Sequence, residues 1–164
     1  MNYHKPVLLN ESLDSLEIRG NGVYVDMTYG GGGHSREILN RLGSNGKLIA
    51  FDQDLDSESN IINDERLFFF RQNNIFLMQT LEYLKIKKVD GILADLGVSS
   101  HQLDKKNRGF SFHPGYRLDM RMNQNQNLDA IEVVNNYSET QLSHLFYLNG
   151  LIIILKPSSQ IYFI

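Results

Sequence analysis

Asp26, Asp52 and Asp95 each stand at the carboxyl end of a short apolar segment, and a run of four glycines, Gly30 to Gly33, follows the first. A carboxylate there can accept hydrogen bonds from ligand hydroxyls or face a cationic group. Glycine lets bare backbone approach the same ligand, because it tolerates positive φ and carries no side chain. Three ligand classes use such a turn. A dinucleotide needs Gly-x-Gly-x-x-Gly/Ala, and counting from Gly30 the last place is Ser35. A phosphate-binding loop needs Gly-x-x-x-x-Gly-Lys-Ser/Thr, which is absent. The third class is the nucleoside and methionine part of S-adenosylmethionine. An acid such as Asp26 just before the turn suits its amine and sulfonium better than it suits phosphates. An ordinary glycine-rich loop is the plain alternative.

The elements that position these residues alternate. Residues 7–18 read as a short amphipathic helix after a lead containing His4, whose plain reading is a surface residue. Residues 23–25 read as strand 1, and a helix follows to Leu42. Residues 47–51 read as strand 2, ending at Asp52. That residue can serve a ribose or cap a helix, although Asp54 is the better cap. Residues 67–71 read as strand 3. Asn73 and Asn74 make a turn, and a helix over 75–86 turns Leu77, Leu81 and Leu84 inward. Phe76, at its start, can lie against a purine or in the core. Residues 89–94 read as strand 4, closed by Asp95. This is β-α-β-α-β-α-β, an α/β fold with a doubly wound parallel sheet. Ligands of such sheets sit outside the carboxyl ends of the strands. Asp26, the glycines, Asp52, Phe76 and Asp95 all fall at that edge.

Residues 105–122 read as a long loop. Over 104–122, Lys105, Lys106, Arg108, Arg117 and Arg121 stand against Asp104 and Asp119. Phe110, Phe112 and Tyr116 are interleaved. Such a loop suits phosphate contacts and base stacking, while aromatics covering a core are the plain alternative. Residues 128–136 and 139–148 read as two short helices, the second opened by Ser138. Asn149 and Gly150 end it, and residues 151–164 are apolar and β-prone and lack a charged face, which makes 149–164 an atypical tail.

Composition bounds the rest. The 164 residues are about one domain, 41% hydrophobic and 21% charged, with net charge −3. That charge argues mildly against wrapping a long nucleic acid. There is no cysteine, and the five histidines lack metal-ligand spacing, so no metal site is expected. Neither a signal peptide nor a bilayer-spanning run is evident, so a cytoplasmic protein with no membrane partner is expected.

The strings HKPVLLNES, VDMTYGGGGHS, AFDQD, DLGVSS, RGFSF and LDMRM occur in order. With them the chain resembles, over residues 3–148, the bacterial 16S ribosomal RNA (cytosine-N4)-methyltransferases. The resemblance implies a class I methyltransferase sheet (Rossmann-like) with a helical domain inserted after strand 4. It implies S-adenosyl-L-methionine as cofactor and 16S ribosomal RNA of the small ribosomal subunit as partner. The reaction implied is methylation of a cytidine N4 amine in the decoding centre. Carried over by motif, the cofactor-binding residues are Gly32, Gly33, His34, Asp52, Phe76, Asp95 and Gln102. Asp95 is also the candidate catalytic acceptor, and Arg108, Arg117 and Arg121 are candidate RNA contacts. The parts expected are a cofactor domain over 1–104 with a partial sheet, a basic and aromatic loop leading into the inserted domain over 105–148, and the tail. The divergence after Leu148 leads to the expectation of a truncated or frame-shifted copy. Such a copy is either an enzyme by descent or a non-catalytic cofactor- or RNA-binding remnant. A second copy of the chain is one candidate to complete its sheet, as a homodimer. A nicotinamide-dependent dehydrogenase is disfavoured by Ser35.

Overall fold

The computed structural model describes residues 6–112 and 114–149. His4 and the tail beyond Asn149 lie outside the described residues. Four parallel strands form one sheet in the order β3-β2-β1-β4. They are β1 (Val23–Asp26), β2 (Lys47–Asp52), β3 (Leu67–Arg71) and β4 (Gly91–Leu93). Val25 lies opposite Ile49 on one side and Ile92 on the other. Successive side chains of a strand point to opposite faces, and the core divides accordingly. Tyr24, Leu48 and Leu93 pack with Leu13, Ile38 and Leu39 on one face. Val25, Ile49 and Phe51 pack with Phe68, Phe70, Leu77 and Leu84 on the other. The sheet is therefore doubly wound as expected. Its strand order reverses between β1 and β4, the switch point where ligands of this architecture bind.

The first helix is shorter than its apolar spacing suggests. α1 covers Leu9–Ser15, and Leu8 and Glu17, both at φ +47°, stop it at either end. α2 (Gly33–Arg41) starts inside the glycine run. The helix expected over 75–86 is a 3-10 turn, Asn74–Phe76, followed by α3 (Leu77–Tyr83), and Lys85 at φ +56° closes it. Strand 4 is confined to β4, shorter than the 89–94 expected.

The loop expected over 105–122 follows a helix not expected from the sequence and holds a 3-10 turn near its start. α4 (Ser100–Asp104) opens with a capping box between Ser99 and Gln102, and a 3-10 turn, Lys106–Arg108, follows. α5 (Ala130–Asn136) is capped by Asp129 and α6 (Glu139–Leu148) by Ser138, each side chain accepting from a first-turn N–H. Among the described residues no helix is long and apolar enough to cross a membrane.

Candidate active site

The turn after β1 is held from three sides. Tyr29 N–H donates to the Phe51 carbonyl at 2.9 Å, tying the turn to β2. Tyr29 Oη donates to the Asn60 carbonyl at 2.7 Å. Gly30 N–H donates to Asp52 Oδ2 at 2.7 Å. Gly32 has φ +73°, and a Cβ there would stand 2.7 Å from Tyr29 Oη. A Cβ on Gly33 would stand 2.2 Å from Pro6 Cγ. These two glycines are thus required by the chain's own packing, and Gly33 lets the amino-terminal segment lie against the turn. His34 completes that contact, its Nε2 lying 3.1 Å from the Val7 carbonyl.

Asp26 has no exposed surface at the carboxyl edge of the sheet. It is fully buried beneath the turn, with Ser35 Oγ donating to Oδ2 at 2.7 Å and Thr28 N–H to Oδ1 at 3.0 Å. Its expected role against a cationic ligand is therefore corrected to a structural one. Ser35, which departs from the dinucleotide fingerprint, is the donor that this buried carboxylate needs. Thr28 in turn accepts from Asp95 N–H at 2.8 Å and so joins β1 to the end of β4.

Burial pushes the Asp26 carboxyl up from its ordinary 3.8, against the opposing pull of Ser35 and Thr28. The folded chain therefore holds that proton more tightly than the unfolded chain. The resulting stability is fully present below pH 3.8 and is lost as pH rises through the elevated value. Asp26→Asn cannot ionise. Wild-type stability minus variant stability should therefore fall as pH rises above 3.8, as read from denaturant midpoints. A difference constant with pH would contradict the assignment.

A cleft of about 330 Å³ lies at the carboxyl edge of the sheet, within the range of small-ligand sites. Gly30, Gly33, His34, Asp52, Asp95 and Gln102 line it, together with Thr28, Asn74, His101 and Met122. Asp52 Oδ2 takes Gly30 N–H, and Oδ1 takes Asp54 N–H at 2.9 Å. Each oxygen keeps acceptor capacity for a further donor. Burial pushes this carboxyl up, while the N–H groups of Asp54 and Gly30 draw it down. Asp95 is exposed at the rim. Gln102 is buried, its Nε2 donating to Asp54 Oδ2 at 2.7 Å. A wider depression at the opposite end of the sheet, lined by Asn45, Arg66 and Phe68, holds none of the residues singled out from the sequence.

Two groups of residues fall elsewhere. Gly32 lies within the turn but off the cleft surface, and Phe76 is 45% exposed, outside both the core and the cleft lining. Of the three arginines expected to grip RNA, Arg108 is corrected. It is 2% exposed, and its Nη1 donates to Asp54 at 2.8 Å and to Asp56 at 3.1 Å. Arg121 closes on Asp119 at 2.6 Å. Arg117 pairs with Asp129 at 2.5 Å, yet its side chain stays 63% exposed. Lys105 pairs with Asp56 at 3.0 Å. The loop's positive charge is thus largely answered within the fold. Among its aromatics, Phe112 is fully exposed and Tyr116 is 52% exposed, with Lys106 Nζ 5.8 Å from the Tyr116 ring centre.

Thr28 and Asn74 were not singled out from the sequence. Thr28 carried a signal, as a hydroxyl residue between Asp26 and the glycines. Asn74, whose Nδ2 reaches the Met27 carbonyl at 3.2 Å, read only as a turn residue. No group of three or more His, Asp or Glu side chains that could hold a metal occurs among the described residues.

The chain is 55% identical over 148 residues to ribosomal RNA small subunit methyltransferase H of Bacteroides fragilis. The protein of that name from Bacteroides thetaiotaomicron is 54% identical over 150 residues, and that from Azobacteroides pseudotrichonymphae 52% over 148. These alignments cover 90%, 92% and 90% of the chain but 49% of each relative. The chain therefore spans about half the length of the relatives it matches. The sequence model of the MraW methylases matches residues 1–160, so nearly the whole chain, glycine turn and cleft included, belongs to the MraW methylase family.

Proposed function

We propose that the cleft binds S-adenosylmethionine and that the protein of which this sequence forms at least a part methylates the N4 amine of a cytidine in 16S ribosomal RNA. The observation that carries this reading is Asp52. It stands at the end of β2, facing the glycine turn, with both oxygens oriented by backbone N–H groups and still able to accept. That arrangement suits the paired hydroxyls of a ribose. Family membership and the relatives' names support the reaction class and the RNA substrate.

Bound in the cleft, S-adenosylmethionine would supply a methyl group made electrophilic by its sulfonium. The chain's own residues place and accept. Asp52 receives the ribose hydroxyls, and backbone of the glycine turn and Gln102 border the rest of the ligand. Phe76 offers an exposed ring beyond Asn74 on the same edge for the adenine. The cytosine amine is a weak nucleophile because its lone pair is delocalised into the ring. An acceptor for its hydrogens favours a pyramidal nitrogen as positive charge develops. Asp95 is that acceptor in this reading, its backbone fixed on Thr28 and its carboxylate at the rim. The base must leave its stack to reach the site. Exposed Phe112, Tyr116, Lys106 and Arg117 provide stacking and phosphate contacts beside it. Residues 1–104 thus form the cofactor part, and residues 105–148 begin the RNA-facing helical part.

A thermal melt with S-adenosylhomocysteine, and separately with NAD, tests the cofactor class. The product analogue should raise the midpoint in a concentration-dependent way, and NAD should not. A shift with NAD alone would replace this reading with a dinucleotide enzyme. Transfer of labelled methyl to unmethylated small subunits then tests the substrate.

A further inference from the structure

Beyond Asp52 the chain bends into the 3-10 turn Leu55–Asn60, and the two acids at its start, Asp54 and Asp56, form part of the cleft wall. Arg108 enters this wall from the segment after α4. One of its terminal nitrogens binds both acids, and the other donates to the Arg121 carbonyl at 2.9 Å. Gln102 binds the same Asp54 oxygen and also reaches the Met122 sulfur at 3.3 Å. The segment folds tightly upon itself. Met120 N–H donates to the Arg108 carbonyl at 2.9 Å, and Gly109 has φ +72° with room for no Cβ, which would stand 2.4 Å from Asp119 N. Residues 105–109 and 119–122 are thus pinned to the ribose side of the cleft by a buried guanidinium, 54 residues away in sequence from its main carboxylate.

We propose that Arg108 is a positioning residue that couples occupancy of the cleft to closure of residues 105–112 and 114–122. A ligand seated on Asp52 and Gln102 steadies Asp54, and Asp54 holds the arginine on which the aromatic segment is anchored. Coupling of this kind is reciprocal, so a closed segment must also tighten the ligand by the same factor. The inference rests on the cofactor reading above and goes beyond it by linking the cofactor site to the RNA-facing segment.

Trypsin cleavage after Arg117, followed with and without saturating S-adenosylhomocysteine, tests it, with the melting shift as an independent record of binding. In the wild-type chain the ligand should slow that cleavage about tenfold. Arg108→Lys keeps a charge near Asp54 but lacks the fork that reaches Arg121. Gly109→Ala props the segment open without touching the buried acids. In both variants protection should fall below about twofold, and affinity should weaken by about the factor lost. A wild-type melting shift with unchanged cleavage would overturn the coupling and leave the cofactor reading standing. Full protection in either variant would overturn the role of Arg108. Absence of any melting shift would overturn the cofactor reading and the coupling with it.

Discussion

Asp52→Ala is predicted to remove nearly all of the thermal shift that S-adenosylhomocysteine gives the wild-type chain. The carboxylate would make two charge-assisted hydrogen bonds to vicinal hydroxyls, each worth about 1.5–3 kcal/mol. Their joint loss weakens binding on the order of a hundredfold or more. With ligand at about one hundred times the wild-type Kd, the wild-type chain gains about 2.7 kcal/mol. At the same concentration a variant weakened about a hundredfold gains about 0.4 kcal/mol. For a domain of this size that separates a shift of roughly 5–11 °C from one of about 1–2 °C. Asp52 also accepts from Gly30 and Asp54, so the ligand-free melt must be compared first. Asp52→Asn, which keeps one acceptor oxygen, should fall between the two. An alanine variant that folds and shifts like the wild type would show that the cleft does not use Asp52.

The second large effect concerns the fold. Arg108→Ala should destabilise the chain by about 3–5 kcal/mol, because it leaves the Asp54 carboxylate buried without its counter-charge. The two side chains are 3% and 7% exposed, so water cannot take over. Gln102 remains a donor to the same oxygen and spares part of the cost. Domains are typically stable by about 5–15 kcal/mol, so a drop of this size is a large fraction of the total. Asp54→Asn combined with Arg108→Ala removes the stranded charge and should recover a substantial part of the loss. A single alanine variant melting within about 1 °C of the wild type would show that the pair is not a buried one in solution.

The sheet was legible because its signals are local. Each strand is a short apolar segment closed by a polar residue, and β2 and β3 start where the pattern places them. Asp52, Asp95 and Gly33 reach the cleft because strand ends in a parallel sheet share one edge. Helix limits were less legible. Positive φ at Leu8, Glu17 and Lys85 ends helices at residues with no turn signature, and only tertiary packing can impose that. Arg108 was misread for a different reason. In sequence it sits among cations and aromatics, whereas its partners Asp54 and Asp56 lie 54 and 52 residues earlier. Ser35 was read as a missing glycine, because nothing local announces that Asp26 turns under the chain to meet it.

The bond between Ser35 and Asp26 also limits where mutation can take this site. Replacing Ser35 with glycine or alanine would restore the last letter of a dinucleotide fingerprint. It would also strand a fully buried carboxylate with one donor fewer. Replacing Asp26 first leaves a serine hydroxyl in the same position. A lineage moving between the two ligand classes would need both changes together, and either intermediate starts with a stability deficit. Drift at a single codon is therefore a poor route to a dinucleotide fingerprint, and the pair Asp26 and Ser35 is expected to vary jointly among descendants or not at all.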